Sequence, residues 1–350
     1  MSVSKTVKIG NITIGGGNAI AVQSMTNTDT LDTSATFEQL KRLQLAGCDI
    51  ARLAVSSMAE VEAVKPLIGK FDMPLVADIQ FDYKLAVACC EIGFDKIRFN
   101  PGNIGDESKV KILVDACKAH HIPIRIGVNT GSLEKKYIAL DKSDALCLSA
   151  LDHVRLLEKF GFTDIVVSVK SSNVKTTVNA YRRLAEQIDY PLHLGVTESG
   201  TDERGVVRSA VGIGSLLIDG IGDTIRVSLS GDPVNEVAAA RMILQEIGID
   251  KNYCEVISCP TCSRCKYDLK QTVDAFKAAT KDIKTPMKVA VMGCVVNGPG
   301  EAADADFGVC GGGEGKAALF IRGKIVKTIE TKDILTELMA LVDKKQKNEI

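Results

Sequence analysis

The chain contains no tryptophan, and aromatic residues make up only 5% of its 350 residues. It also lacks net charge: 43 basic residues face 44 acidic ones, a formal −1. A protein built around a nucleic-acid backbone or an anionic membrane surface carries a basic excess, so that class is set aside, while a local basic pocket stays open. Long apolar runs are missing too. The longest, around Val289 to Val296, falls well short of the roughly 18 residues a membrane-crossing helix needs. The start, MSVSKTVKIG, has no apolar segment behind its lysines, so no secretory signal is visible and a cytoplasmic protein is expected. Apolar residues at 45% and charged residues at 25% exclude global disorder. The length exceeds what one hydrophobic core usually organises, which predicts a large domain with a smaller one.

What the chain does have is cysteine: eleven of them. In a reducing compartment, scattered cysteines are small core residues, and clustered ones ligate metal or do redox work. Cys48, Cys89, Cys90, Cys117 and Cys147 sit among apolar neighbours and read as core. Cys254, Cys259, Cys262, Cys265, Cys294 and Cys310 crowd the last hundred residues, and that asymmetry is the first sign of function.

From residue 19 to about 245, short Ile-, Val- and Leu-rich runs alternate with helix-length amphipathic stretches. The runs are AIAVQS, DIARLAV, PLVADI, DKIRFN, PIRIGV, DIVVSV, PLHLGV and DTIRVSL, each composed like a strand buried on both faces. Tags such as Gly47-Cys48-Asp49 and Gly93-Phe94-Asp95 recur before strands and read as glycine helix caps turning into the next strand. Eight such units predict an α/β fold with an N-terminal (β/α)8 TIM-type barrel. A doubly wound sheet is the rival, but no GxGxxG follows any strand. The leading VKIGNITIGGG reads as a hairpin closing the barrel floor. After residue 250 the rhythm changes to a compact α+β module, which places the domains at 1–250 and 251–350.

Barrel active sites lie at the carboxyl ends of the strands. Those ends carry Arg52, Asp78, Arg98 with Asn100, Arg125 with Asn129, Ser168 with Lys170, His193 with Thr197 and Glu198, and Arg226 with Ser228. Four arginines and a lysine converging on one mouth demand an anionic ligand, since guanidinium forks bind phosphate oxygens and asparagine and serine complete the coordination. The plain alternative is a ring of ion pairs with Asp78, Asp82 and Glu198. For five strand ends together it is the weaker reading, because so much buried charge is costly without a partner. His193, alone in PLHLGV, reads equally well as a hydrogen-bonded core residue.

In the second module Cys259-Pro260-Thr261-Cys262 is a CxxC turn, and Cys294 follows at the end of an apolar strand. Three thiolates can hold three irons of a cubane cluster. A zinc ribbon needs a second CxxC or CxxH, which is absent, and the radical-SAM spacing CxxxCxxC is absent as well. Iron–sulfur is the best reading. Spacing alone leaves the ligands open among Cys265, Cys294, Cys310 and a non-thiol group.

CPTCSRC together with GCVVNGPGE closely resembles the cluster-binding signature of the 4-hydroxy-3-methylbut-2-enyl diphosphate synthase family of the non-mevalonate isoprenoid pathway. VQSMTNTDT, ADIQFDY, RFNPGN, RIGVNTGSL, PLHLGVTESG and GIGDTIRVSL extend the resemblance over nearly the whole chain. The resemblance implies an oxidoreductase that opens the ring of 2-C-methyl-D-erythritol 2,4-cyclodiphosphate and dehydrates it to the linear allylic diphosphate. Two electrons would arrive from flavodoxin or ferredoxin through a [4Fe–4S] cluster. Carried over by position, the cluster ligands are Cys259, Cys262, Cys294 and, through oxygen, Glu301. The substrate contacts are Arg52, Arg98, Asn100, Arg125, Asn129, Lys170, Arg226 and Ser228, with Glu198 as an acidic group beside the substrate. The resemblance also implies a homodimer in which one subunit's cluster domain serves the other's barrel.

Overall fold

The computed structural model describes residues 3–104, 106–197, 200, 202–296, 300, 302–313 and 315–350. The chain divides into two compact units, Met1–Ile247 and Gly248–Ile350.

The first unit opens with a hairpin, β1 (Val7–Ile9) and β2 (Ile12–Ile14). Strand and helix then alternate: β3 (Ala21–Met25), α1 (Thr33–Leu45), β4 (Ile50–Ala54), α2 (Met58–Val64), β5 (Leu75–Asp78), α3 (Tyr83–Ile92) and β6 (Lys96–Phe99). They continue as α4 (Pro101–Ile104), α5 (Glu107–Ala119), β7 (Ile124–Asn129), α6 (Lys142–Lys159), β8 (Ile165–Lys170), α7 (Val174–Ala185), β9 (His193–Leu194), α8 (Asp202–Ile218), β10 (Thr224–Ile225) and α9 (Pro233–Glu246). The sheet order is β8-β7-β6-β5-β4-β3-β10-β9, all parallel, and a bridge from Val167 to Leu192 joins its two ends. The eight strand segments read from the sequence are the eight staves of this barrel.

Local chemistry starts the helices. Asp32, Asp82, Asp106, Asp141, Asn173 and Asp232 each cap a helix by accepting a backbone N–H, and Ser57 with Glu60 forms a capping box at α2. Asp82 is therefore a cap on Lys84 N (2.9 Å), and among the described residues it is not paired with an arginine of the rim. The amphipathic stretch EVEAVKPLIGKF is one helix only as far as Val64. Pro66, which has no N–H, shortens the rest to a 3-10 turn at Lys65–Leu67.

The glycine tags do more than cap. Gly47, Gly93 and Gly161 take positive φ at helix ends, as read. The aspartates that open the strands then accept N–H groups from the adjoining strand. Asp49 takes Val22 N (2.7 Å), Asp95 takes Leu75 N (2.8 Å) and Asp223 takes Leu192 N (2.8 Å). This repeated bond satisfies the first donor of a strand where the ladder has not yet begun. The hairpin packs Val7, Ile9 and Ile14 onto Ala21, Ile50, Val76 and Val166, sealing the amino-terminal end of the barrel.

The second unit contains β11 (Cys254–Ser258), α10 (Leu269–Thr280), β12 (Met287–Met292), β13 (Phe307–Gly313), β14 (Lys316–Ile321), β15 (Lys324–Glu330) and α11 (Ile334–Gln346). Its sheet runs β11-β12-β13-β14-β15, parallel across the first three strands and antiparallel beyond. Phe276, Val289, Val291, Phe307, Leu338 and Val342 form the core beside α10 and α11.

By composition the glycine-dense stretch that begins at Asn297 reads as a loop, yet within it FGVCGGG is the central strand β13. A Cβ on Gly308 would stand 2.3 Å from Ala290 O, and one on Gly311 would stand 2.4 Å from Gly293 O. Glycine is present because β12 approaches too closely for a side chain. No helix among the described residues is long and apolar enough to cross a membrane.

Asp223 accepts both Leu192 N and Ser4 Oγ (2.6 Å), tying the leading segment to β9. Replacing Asp223 by Ala should therefore destabilise the barrel by roughly 1–3 kcal/mol, measured as a fall in the urea midpoint at constant slope.

Candidate functional site

Most barrels of this kind fill their interior with branched apolar side chains. This one does not. Strand alternation turns Gln23, Arg52, Asp78, Lys96, Arg98, Arg125, Ser168, Lys170, His193 and Arg226 to the same inward side. At the carboxyl end lies an open cavity lined by Arg52, Asp78, Gln80, Arg98, Asn100, Asn103, Arg125, Asn129, Ser168, Lys170, Thr197, Arg226 and Ser228. All eight substrate contacts expected from the sequence line this one space. Glu198 lies outside the described residues.

Two carboxylates organise the cations. Asp78 accepts Arg98 Nη1 at 2.8 Å and stands 3.5 Å from Arg52 Nε. Glu236 reaches from α9 to Arg226 Nη2 (3.2 Å) and also accepts Ser24 Oγ (2.8 Å) and Leu229 N (3.0 Å). Lys170 and Arg125 have no carboxylate within ion-pair distance among the described residues. The cations consequently repel one another. Burial, helped by the Arg226 and Arg98 charges, brings Arg52 down to about 9 against the pull of Asp78. Burial and then the Arg125 and Arg226 charges hold Lys170 well below the ordinary lysine range. Burial alone would raise the Asp78 carboxyl, but the Arg52, Arg98 and Arg125 charges outweigh it and keep it below the ordinary aspartate range.

Two glycines make room for this crowd. A Cβ on Gly127 would lie 2.5 Å from Arg98 Nε, and one on Gly195 would lie 2.7 Å from Lys170 Nζ. Sequence reasoning missed Gln80, Asn103 and Glu236. Gln80 is two residues beyond Asp78, so the same alternation could have found it. Asn103 and Glu236 come from helices and carry no such signal. His193 is fully buried with Nδ1 against Thr224 Oγ1, and it does not line the cavity.

The cysteines separate into two kinds. Cys48, Cys89, Cys90, Cys117 and Cys147 are all buried in the barrel unit, and none of the eleven is in a disulfide. In the second unit Cys259 directly follows β11 and Cys294 lies just beyond β12, and the pairing of Ser258 with Val291 sets these strand ends side by side. Cys259 Sγ accepts Gly293 N–H at 3.2 Å, the kind of bond that stabilises a thiolate. Cys262 is exposed at the turn.

The remaining thiols are engaged otherwise. Cys265 donates to Tyr267 O at 3.2 Å. Cys310 is buried, and burial pushes its thiol up to about 11; Cys254 is raised to about 11 in the same way. No three His, Cys, Asp or Glu among the described residues are grouped to hold a single ion. A cubane asks for something different, since each thiolate binds its own iron and the ligands spread further apart. Cys259 and Cys294 stand at adjacent strand ends, an arrangement that suits ligands spread in this way. Glu301 lies outside the described residues.

Together these features define a class: a TIM-barrel protein with a polycationic, anion-shaped mouth and a separate module presenting cluster-type thiols. Residues 4–241 match the family model described as GcpE TIM-barrel domain, and residues 255–344 match GcpE protein C-terminal domain. The chain belongs to the GcpE family, which bears out the resemblance read from its motifs. A protein of Caldanaerobacter subterraneus subsp. tengcongensis is 53% identical over 99% of this chain and 98% of its own. One of Clostridium perfringens is 50% identical over 97% and 98%. Both are named 4-hydroxy-3-methylbut-2-en-1-yl diphosphate synthase (flavodoxin). Among solved structures, the dihydropteroate synthase of Yersinia pestis aligns with a TM-score of 0.51 at 14% identity, covering 69% of this chain and 98% of that one. At that identity the likeness shows the barrel fold alone.

Asp78 should be the keystone of the mouth. Replacing it by Asn leaves Arg52 and Arg98 buried without their counter-charge and should cost about 3–5 kcal/mol in thermal or urea unfolding, with inorganic pyrophosphate restoring much of the loss. Because its folded pKa is lowered, the stability Asp78 supplies is fully present above the ordinary aspartate value of about 3.9 and lost as pH falls below it. The variant should therefore show a flatter acid-stability profile than the parent.

Proposed function

We propose that the chain catalyses the reductive ring opening and dehydration of 2-C-methyl-D-erythritol 2,4-cyclodiphosphate to (E)-4-hydroxy-3-methylbut-2-enyl diphosphate in isoprenoid biosynthesis. The observation that carries this reading is the convergence of Arg52, Arg98, Arg125, Lys170 and Arg226 on one cavity in a member of this family. A cyclic diphosphate supplies the negative charge those side chains lack. Arg52, Arg98 and Arg226 are already oriented by Asp78 and Glu236, so little reorganisation accompanies binding. Asn100, Asn129 and Ser228 complete the coordination of the phosphate oxygens. Residues 1–250 form the substrate domain in this reading, and 251–350 the cluster domain.

Two electrons and two protons enter the reaction and one water leaves, so a redox group is required, and the barrel carries no nicotinamide or flavin motif. Cys259, Cys262 and Cys294, with Glu301 as an oxygen ligand, would hold a [4Fe–4S] cluster in the second unit. Once bound, such a cluster would supply electrons one at a time and Lewis acidity from its iron. Glu198 belongs to the proposed site as an acidic group beside the substrate. Flavodoxin or ferredoxin is the proposed electron donor, and the flavodoxin in the relatives' names supports that choice. The proposal includes a cytoplasmic homodimer whose chemistry draws on both chains. Val207, Val211 and Ile218 form an exposed apolar stripe on α8 at helical spacing, which supports a second copy as partner.

The deciding experiment is anaerobic purification, analysis of iron and acid-labile sulfide, and turnover of the cyclic diphosphate with reduced flavodoxin. Protein that binds no iron, or that carries a cluster and leaves the cyclic diphosphate unchanged, would overturn the reading. Within it, Arg98→Gln should lower kcat/KM by about ten- to a hundredfold, the worth of one charge-assisted bond to phosphate, with the cluster absorption intact.

The thiols make a separate test. Cys259→Ser, Cys262→Ser and Cys294→Ser should each strip the ordinary cubane spectrum, and Cys265→Ser should keep it, as read by visible absorption and EPR. Loss in Cys265→Ser with retention in Cys294→Ser would reassign the ligands.

A further inference from the structure

Beneath the mouth, the same inward alternation buries a second group of donors that the diphosphate reading does not use. Gln23, Lys96 and His193 are no more than 1% exposed, do not line the cavity, and lie on the barrel's inner face with the lower part of Arg125. Lys96 Nζ points to Gln23 Oε1 at 3.4 Å, and His193 Nδ1 is taken by Thr224 Oγ1. Gln23 Nε2, Arg125 Nε and Nη1, and His193 Nε2 are buried with no hydrogen-bond partner among the described residues. Neither organising carboxylate is hydrogen-bonded to them: Asp78 is taken by Arg98 and Arg52, and Glu236 by Arg226, Ser24 and Leu229 N, although the Asp78 charge reaches Arg125.

Burial, then the Arg125 and Arg52 charges, hold Lys96 well below the ordinary lysine range. A guanidinium keeps its charge in a protein. Arg125 is 1% exposed, so its charge asks for a counter-charge, which neutral hydrogen-bonding partners do not supply.

We propose that the barrel interior beneath the mouth is a binding site for one small monovalent inorganic anion of halide size, held by Arg125, Gln23, His193 and Lys96. Several buried donors around one guanidinium charge favour an anion, and their near-complete enclosure favours one that sheds its water readily, against phosphate or sulfate. The bound anion offsets the Arg125 charge from below, and Arg125 also lines the mouth. This inference rests on the barrel's side chains and is independent of which anion the mouth binds.

The probe is bromide on the full-length chain. Crystals soaked in sodium bromide should give an anomalous peak among Arg125, His193 and Gln23. In solution, bromide or chloride at constant ionic strength against gluconate should raise the unfolding temperature by several degrees, saturably, and the rise should persist when pyrophosphate saturates the mouth. Lys96→Met and His193→Gln should each lose the halide response by at least tenfold in apparent affinity and still bind pyrophosphate in calorimetry. Bromide found only on the outer surface, ordered water alone at the site, or a response that pyrophosphate abolishes would overturn the proposal. So would a full response in both folded variants. Should one variant fail to fold, the other together with the anomalous map still decides.

Discussion

Asp78 is the point on which the barrel's electrostatics turn. It sits between Arg98 at 2.8 Å and Arg52 at 3.5 Å, with further cations at Arg125, Lys170 and Arg226 around the same cavity. Burying like charges together is among the most costly arrangements a fold can hold, and it persists only where the surroundings fix each side chain in place. Here the fixing elements are identifiable. Glu236 on α9 anchors Arg226, Met25 Sδ lies 2.9 Å from Arg52 Nη2, and the bare backbones of Gly127 and Gly195 let Arg98 and Lys170 lie against neighbouring strands. The excess positive potential that remains favours an anionic ligand, and it operates in a chain whose total charge is −1.

The apolar parts of the barrel carry the cost of that arrangement. Its outer layer of helices buries a continuous apolar core against the outward faces of the strands, and the hairpin β1–β2 seals the floor with Val7, Ile9 and Ile14. Apolar burial is thus displaced from the inside of the barrel to its outside and its base. The aspartates that open β4, β6 and β10 hold the strand starts in register, so the inward positions meet at defined heights.

The second unit separates thiols by environment. Cys254 and Cys310 lie where burial favours the protonated form, and Cys265 donates to Tyr267 O. Cys259 and Cys294 stand at the carboxyl ends of adjacent parallel strands, and Cys262 lies in the turn beyond one of them. The β11–β12 ladder brings those strand ends together, and the glycines of β13 let that strand pack closely on the other side of β12. Six cysteines near the chain's end therefore do not act as one set.

Much of this was legible in the sequence, and the reasons are local. The eight Ile- and Val-rich runs, the Asp, Asn and Ser caps and the glycine tags depend on neighbours a few residues away, so composition and period disclosed them. Alternation also gave which side chains share a strand face, and so the ring Arg52, Arg98, Arg125, Lys170 and Arg226. Height within the barrel was not legible. Lys96 is two residues before Arg98 on the same strand face, yet it lies beneath the cavity, because the stagger of eight strands fixes how deep each position falls. Partners on other elements were hidden as well. Glu236 meets Arg226 and Ser24 only after α9 folds onto β3, and FGVCGGG reads as loop until β12 is seen to require glycine beside it. The sequence by itself determined which residues form the elements and which way they face; the tertiary structure alone decided which charges are paired, which are buried and which thiols keep their protons, because desolvation and Coulomb energy depend on distances that closing the barrel and the sheet create.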